Sequence, residues 1–129
     1  MLVKKEVFRT VGFFDEHYFF YFEDTDFCLR AKKMGFKLFY QPSAEIIHLG
    51  GLSSRKVGQN ELNAHWYRGK FRCILKNGTL LQKITSLGIQ LIVFPYKVII
   101  RHDGTGTAQI KGFLWNVKHY DRPQSDTHL

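Results

Sequence analysis

The sequence predicts an α/β chain, an α+β arrangement in which short strands sit among helices and a helical region follows. Three observations carry this expectation. Residues 36–40, FKLFY, and 44–48, AEIIH, are short apolar runs separated by Pro42 and closed by the glycine-serine stretch LGGLSS, which is the pattern of strands. Around them, residues 24–35 and 60–76 place apolar side chains at helical spacing. A hydrophobic content of 44%, with 16% aromatic and twelve phenylalanines among 129 residues, argues against disorder and for one packed core, with little room for a second.

Taken in order, KKEVFRTVG predicts a short helix, because Val7 and Val11 share a face and Gly12 can take the left-handed conformation that ends it. FFDEHYFFYF has no polar alternation and reads as an extended stretch buried on both sides. A helix over DTDFCLRAKKMG comes next: Phe27, Ala31 and Met34 fall at i, i+4 and i+7, Lys32 and Lys33 sit at the negative end of its dipole, and Gly35 stops it. After the two strands, residues 60–76 form a helix terminated by Asn77-Gly78. A further helical stretch, 80–100, carries an apolar run that Pro95 kinks or divides. The last helix is AQIKGFLWNVKHY, and DRPQSDTHL is a frayed tail.

Charge and cysteine content narrow the function classes. Nineteen Lys and Arg against eleven Asp and Glu leave a formal charge of +8, which favours anionic partners; no nucleic-acid-binding motif accompanies it. Cys28 and Cys73 lie far apart with no paired spacing, so neither a zinc knuckle nor a disulfide framework is signalled, and reduced thiols in the cytosol are expected. The N-terminus MLVKKEVF lacks the apolar core of a signal peptide. Residues 87–100 are too short and too interrupted, by Gln90, Pro95 and Lys97, to span a bilayer, and read as a buried or interfacial segment. In the interfacial case Lys76, Lys83, Lys97 and Arg101 would face anionic headgroups, with binding that weakens in salt.

The chemistry concentrates at FFYFEDTDFCLR. Four of its first five residues are aromatic, and Glu23, Asp24 and Asp26 follow within four positions. Asp24 or Asp26 can cap the helix that starts here, which accounts for one carboxylate but not three. Three acidic groups this close repel one another unless donors or a cation absorb the charge. A carboxylate at a helix N-terminus behind an aromatic wall suits a general base; the oxygens of Asp24-Thr25-Asp26 equally suit a divalent ion. Spacing leaves both open.

The stretch VGFFDEHYFFYFEDTDFCLRAKKMGFKLFYQPSAEIIHLGGLSS resembles the second half of family 2 glycosyltransferases of the GT-A fold, and among them the rhamnosyltransferase-like enzymes of bacterial polysaccharide assembly. The match runs from about Leu2 to Ser54, with YRGKFRCILKNG as a weaker helical continuation. The resemblance implies an inverting, metal-dependent transfer from a nucleotide-diphospho-sugar to a saccharide or lipid-linked acceptor. It makes Asp24 the base that takes the acceptor proton, with Glu23, Tyr21 and Phe22 on the acceptor side and Asp26 and Arg30 in support. His48 would complete coordination of a Mg²⁺ or Mn²⁺ ion on the donor diphosphate, although a lone histidine at a strand end is ordinarily structural. Gly50, Gly51, Ser53, Ser54 and Arg55, with Lys56, would form a flap over that diphosphate, or an ordinary loop.

The same resemblance divides the chain into an acceptor and base half over 1–58, a helical extension over 59–120 and a flexible tail over 121–129. It also marks an omission: the family's donor site needs an earlier βαβ region with an Asp-x-Asp motif, and Asp24-Thr25-Asp26, behind aromatics and Glu23, matches the acceptor side instead. The chain therefore reads as the C-terminal part of such an enzyme, inactive alone, working in the cytoplasm at the inner face of the cell membrane. The competing expectation is a non-catalytic module that binds a membrane surface or a partner subunit.

Overall fold

Local signals at some helix ends decide part of the architecture. The computed structural model describes residues 1–47, 57–101 and 104–119. It contains α1 (Lys5–Val11), α2 (Glu23–Lys33), α3 (Gln59–Asn77), α4 (Leu80–Tyr96), which continues into a π-helical turn (Lys97–Arg101), and α5 (Thr105–Lys118). Gly12 and Gly35 both take positive φ, 78° and 85°, and end α1 and the α2 turn as their sequence positions predict. Thr79 and Gln82 open α4 with a reciprocal capping box, each side chain bonding the other's backbone N–H.

The α/β expectation, and with it the GT-A sheet, is overturned: among the described residues there is no strand. Residues 36–40 and 44–47 run as irregular chain, and apart from Phe36 their large apolar side chains lie in solvent, Phe39 85% and Ile47 93% exposed. A strand is held by backbone hydrogen bonds to a neighbouring strand, and no described segment pairs with either run. Residues 13–22 are not extended either. They turn, with the Tyr18 N–H bonded to the Asp15 carbonyl at 3.0 Å, and only Asp15 and Tyr18 are buried while Phe14, Phe19 and Tyr21 are exposed. Met34, expected in the core, lies past the end of α2 and is exposed.

Two small cores result. Val7, Phe27 and Ala31 join α1 to α2, with Phe8, Val11 and Phe36 packed around them and the Phe8 ring 5.2 Å from Phe13 and 5.1 Å from Phe27. Tyr67, Phe71 and Ala108 join α3 to α5, which make the broadest helix contact. That contact needs Gly112: a Cβ there would stand 2.6 Å from the Arg68 nitrogen and 2.7 Å from the Tyr67 Cβ. Asn116 then donates to the Arg68 carbonyl at 2.9 Å, closing the crossing with a polar tie. Pro95 does not divide α4; the helix passes through it and widens to π winding two residues later.

These contacts separate two glycine substitutions of identical chemistry. Gly112→Ala forces backbone against backbone and is expected to lower stability by about 1–3 kcal/mol. Gly88→Ala, in α4 with nothing within 4 Å of its Cβ position, is expected to gain about 0.5–1 kcal/mol from helix propensity. Urea denaturation of both variants checks the pair, and a neutral Gly112→Ala refutes the close crossing.

Candidate functional site

The chain enters α2 through two non-glycine residues in left-handed conformation, Tyr21 at φ 65° and Phe22 at φ 71°. Each costs on the order of 1–2 kcal/mol, a strain that persists only when its surroundings enforce it. Here α3 enforces it. A Cβ on Gly69 would meet the Tyr21 carbonyl oxygen at 2.9 Å and the Phe22 ring at 3.0 Å, so the turn lies directly against the α3 backbone. The Phe22 ring meets Trp66 edge-on at 5.6 Å, and Phe19 and Phe20 pack on His65. The aromatic run thus joins two α3 side chains, His65 and Trp66, in one patch whose Phe19, Tyr21 and Trp66 rings are partly open to solvent. Their contribution was not legible in the sequence; a His-Trp-Tyr triplet inside a helix, above a glycine four residues from His65, was its only signal.

The strained turn delivers Glu23 and Asp24 to the first turn of α2 and sends Asp26 the other way. Asp24 is exposed; its Oδ1 accepts the Thr25 N–H at 2.6 Å and the Thr25 hydroxyl at 3.2 Å. Phe22, not an aspartate, occupies the N-cap, so Asp24 serves one open amide of the helix start without being its cap residue. Glu23 is half-buried, and its Oε2 is buried without a hydrogen-bond partner among the described residues. A carboxylate oxygen left in that state is a place for a donor to bind.

Asp26 is fully buried and fully committed. It accepts the Arg30 Nε at 2.8 Å, the Lys76 ammonium at 3.2 Å, the Asn77 amide at 2.7 Å and the Tyr18 hydroxyl at 3.3 Å. Arg30 also donates to the Val11 and Phe13 carbonyls at 2.5 and 2.7 Å. A second buried carboxylate, Asp15, lies alongside and accepts from Arg72 at 3.0 Å, Lys76 at 2.9 Å, and the ring and backbone N–H of His17 at 2.8 and 3.0 Å. Burial by itself pushes the Asp15 carboxyl up, but Lys76 and His17 outweigh it and hold it well below the usual carboxylate range. Burial, with the negative charge of Asp26 next, pushes the Tyr18 hydroxyl far above its ordinary value, so it serves as a donor only. Asp15 and Arg72 were not singled out in the sequence, and Lys76 was assigned to lipid headgroups, because their pairing crosses 57 and 61 positions.

His48, Gly50, Gly51, Ser53, Ser54, Arg55 and Lys56 lie outside the described residues. Among those described, no three His, Cys, Asp or Glu side chains gather to hold a metal ion, so the chemistry below is derived without one. Nor do Glu23 and Asp24 line the open groove of about 440 Å³ near α4, which is bordered by Leu29, Lys70, Cys73, Asn77, Ile89 and Gln90. Cys73 there is free, and burial raises its thiol above the ordinary value, which makes it a poor nucleophile.

The chain is similar to rhamnosyltransferases. It is 33% identical over 96 residues to the N-acetylglucosaminyl-diphospho-decaprenol L-rhamnosyltransferase of Mycobacterium tuberculosis (strain CDC 1551 / Oshkosh), a match covering 64% of this chain and 31% of that protein. It is 34% identical over 80 residues to the rhamnosyltransferase WbbL of Escherichia coli (strain K12), covering 62% of this chain and 30% of WbbL. To the dTDP-rhamnosyl transferase RfbF of Shigella flexneri it is 38% identical over 56 residues, covering 43% and 19%. The chain therefore spans less than a third of the length of these curated relatives. No family model and no solved structure matches it.

The buried Asp15 carboxylate imposes an acid limit on stability. Because the folded Asp15 binds its proton less readily than the unfolded chain does, its stabilisation is complete well above the ordinary value of 3.8 and is lost as pH falls below that value toward the folded one. Asp15→Asn is expected to cost about 3–5 kcal/mol at neutral pH, since Arg72 and Lys76 lose a charged partner, and to flatten the acid dependence. Urea denaturation between neutral pH and about pH 2 measures both; an Asp15→Asn variant with the wild-type acid slope contradicts the assignment.

Proposed function

We propose that this chain supplies the acceptor side of an inverting glycosyltransferase, one that transfers a sugar, rhamnose by analogy with the relatives' names, from a nucleotide-diphospho-sugar to a saccharide or lipid-linked acceptor. The observation that carries the reading is the split among three neighbouring carboxylates. Asp26 is spent on structure, Glu23 keeps an unpartnered buried oxygen, and Asp24 stands exposed at a helix N-terminus. A matching stretch in proteins named rhamnosyltransferases supports it.

In this mechanism the acceptor sugar lies on the partly exposed Phe19, Tyr21 and Trp66 rings, whose faces suit the apolar side of a pyranose. The half-buried Glu23 carboxylate accepts a hydrogen bond from one of its hydroxyl groups. Asp24 takes the proton of the attacking hydroxyl as that oxygen bonds the anomeric carbon, and the carbon–oxygen bond to the diphosphate breaks with its electron pair leaving on the diphosphate. Donor recognition is assigned to sequence beyond these residues, with Gly50, Gly51, Ser53, Ser54 and Arg55 proposed as its phosphate loop. A divalent cation, with His48 proposed as a ligand, belongs to the same proposal and would offset charge on the leaving diphosphate. The reaction is placed in the cytoplasm.

The test uses the whole enzyme, with dTDP-rhamnose as donor and a diphospho-polyprenol-linked saccharide as acceptor. Asp24→Asn is expected to lower turnover by roughly 10² to 10⁴ while leaving the melting temperature unchanged, because the amide keeps the Thr25 hydrogen bond and cannot take a proton. Asp26→Asn is expected to act in the opposite way, lowering the melting temperature by loosening the buried network. Initial rates and melting curves for both variants decide the point, and a full-rate Asp24→Asn enzyme removes Asp24 from the reaction.

A further inference from the structure

The helix Leu80–Arg101 is inside out. It runs 22 residues without a break, an 18-residue stretch of it has a mean hydropathy of 1.4, and none of it is buried. In a helix that packs on a soluble core the apolar stripe faces inward. Here polar side chains make the bonds to the body, beside Val98 set against Gly106 of α5: Gln90 accepts the Gln109 amide of α5 at 2.7 Å, and Lys97 donates to the Tyr67 hydroxyl and, at 3.3 Å, to Gln109 Oε1. Lys83 and Ser86 fall on the same side and are, like Gln90 and Lys97, only half-exposed. Leu81, Ile84, Leu87, Leu91 and Ile92 point away, with Leu91 and Ile92 each 77% exposed.

We infer that this helix lies in the surface of a lipid bilayer, its apolar side immersed at the boundary between headgroups and acyl chains and its polar stripe bound to α3 and α5. Three features choose this occupant. The apolar side of α4 covers an arc of about 200° at about 100° per residue, far wider than the seam another helix would cover and suited to lipid that surrounds it. At 22 residues and 1.5 Å per residue the whole helix is about 33 Å long, enough to cross a bilayer core of roughly 30 Å, but Gln90 and Lys97 are bonded to the body along one side, so the helix lies in the plane and does not cross. Finally, the driving force is apolar. Of the cations that the sequence assigned to headgroups, Lys76 is bonded to Asp15 and Asp26 and Lys97 to Tyr67, so neither is free to seek lipid.

Flotation of the full chain with phosphatidylcholine vesicles, with and without phosphatidylglycerol, at low and high salt, tests this. Binding is expected on the uncharged vesicles and is expected to persist in high salt. Ile92→Glu, on the outer face and remote from the body contacts, is expected to reduce partitioning about tenfold or more with unchanged circular dichroism and melting temperature. Met34→Glu, at an exposed apolar residue elsewhere, should bind as wild type does. Absence of binding to every vesicle, or undiminished binding by Ile92→Glu, overturns the inference. So does a concentration-dependent dimer in ultracentrifugation that Ile92→Glu dissolves while vesicles remain unbound, since the face then belongs to a second copy. Neither measurement involves a sugar donor or acceptor, so its outcome is independent of the catalytic proposal.

Discussion

Lys76 bridges two fully buried carboxylates, and the helical body is arranged around that bridge. Its ammonium stands 2.9 Å from Asp15 and 3.2 Å from Asp26, with Arg72 completing one side and Arg30 the other. Two negative and three positive side chains share one interior, where each would be prohibitively expensive alone. Through them the 13–18 turn, α2 and α3 are held together, and Arg30 reaches further to the Val11 and Phe13 carbonyls at the end of α1. With two small apolar clusters among the described residues, this polar network supplies the connection between them.

The candidate site depends on that connection. Asp26 is anchored one turn beyond Glu23 and Asp24, so the first turn of α2 cannot rotate without breaking four hydrogen bonds. The left-handed Tyr21 and Phe22 are pinned from the opposite side by the glycine in α3. Held at both ends, the helix start presents a carboxylate outward on a rigid base, the arrangement a positioned proton acceptor needs. His65, beside the same aromatic patch, is lowered by burial and then by the charge of Arg68, which favours its neutral form there.

Polarity is inverted between the two parts of the molecule. Charge is concentrated inside the α1–α3 region, while the exposed surface of α4 is among the most apolar in the chain. A hydrophobic content of 44% therefore does not translate into a large interior; much of it lies on α4 and on residues 36–47, facing outward. An apolar helix face joined to a charged, structurally separate body is consistent with a protein that works where water meets lipid.

The sequence by itself determined where the helices lie and which glycines stop the first two. Apolar spacing and glycine stops are local, so α1, α2 and α3 and the left-handed Gly12 and Gly35 could be read from consecutive residues. Its resemblance pointed to sugar transfer on the strength of residues 2–54, and the curated relatives carry rhamnosyltransferase names. What it misread was non-local. FKLFY and AEIIH have strand composition, but a strand exists only if a second one lies beside it, and none does among the described residues. Glu23, Asp24 and Asp26 are equivalent by spacing; only the approach of Arg30, Lys76 and Asn77 makes Asp26 structural and leaves Asp24 exposed. For α4 the sequence supplied an apolar helix but not its orientation, because which side meets the body was decided by Gln109 and Tyr67, whose hydrogen-bonding groups drew Gln90 and Lys97 inward and left the aliphatic side chains outside.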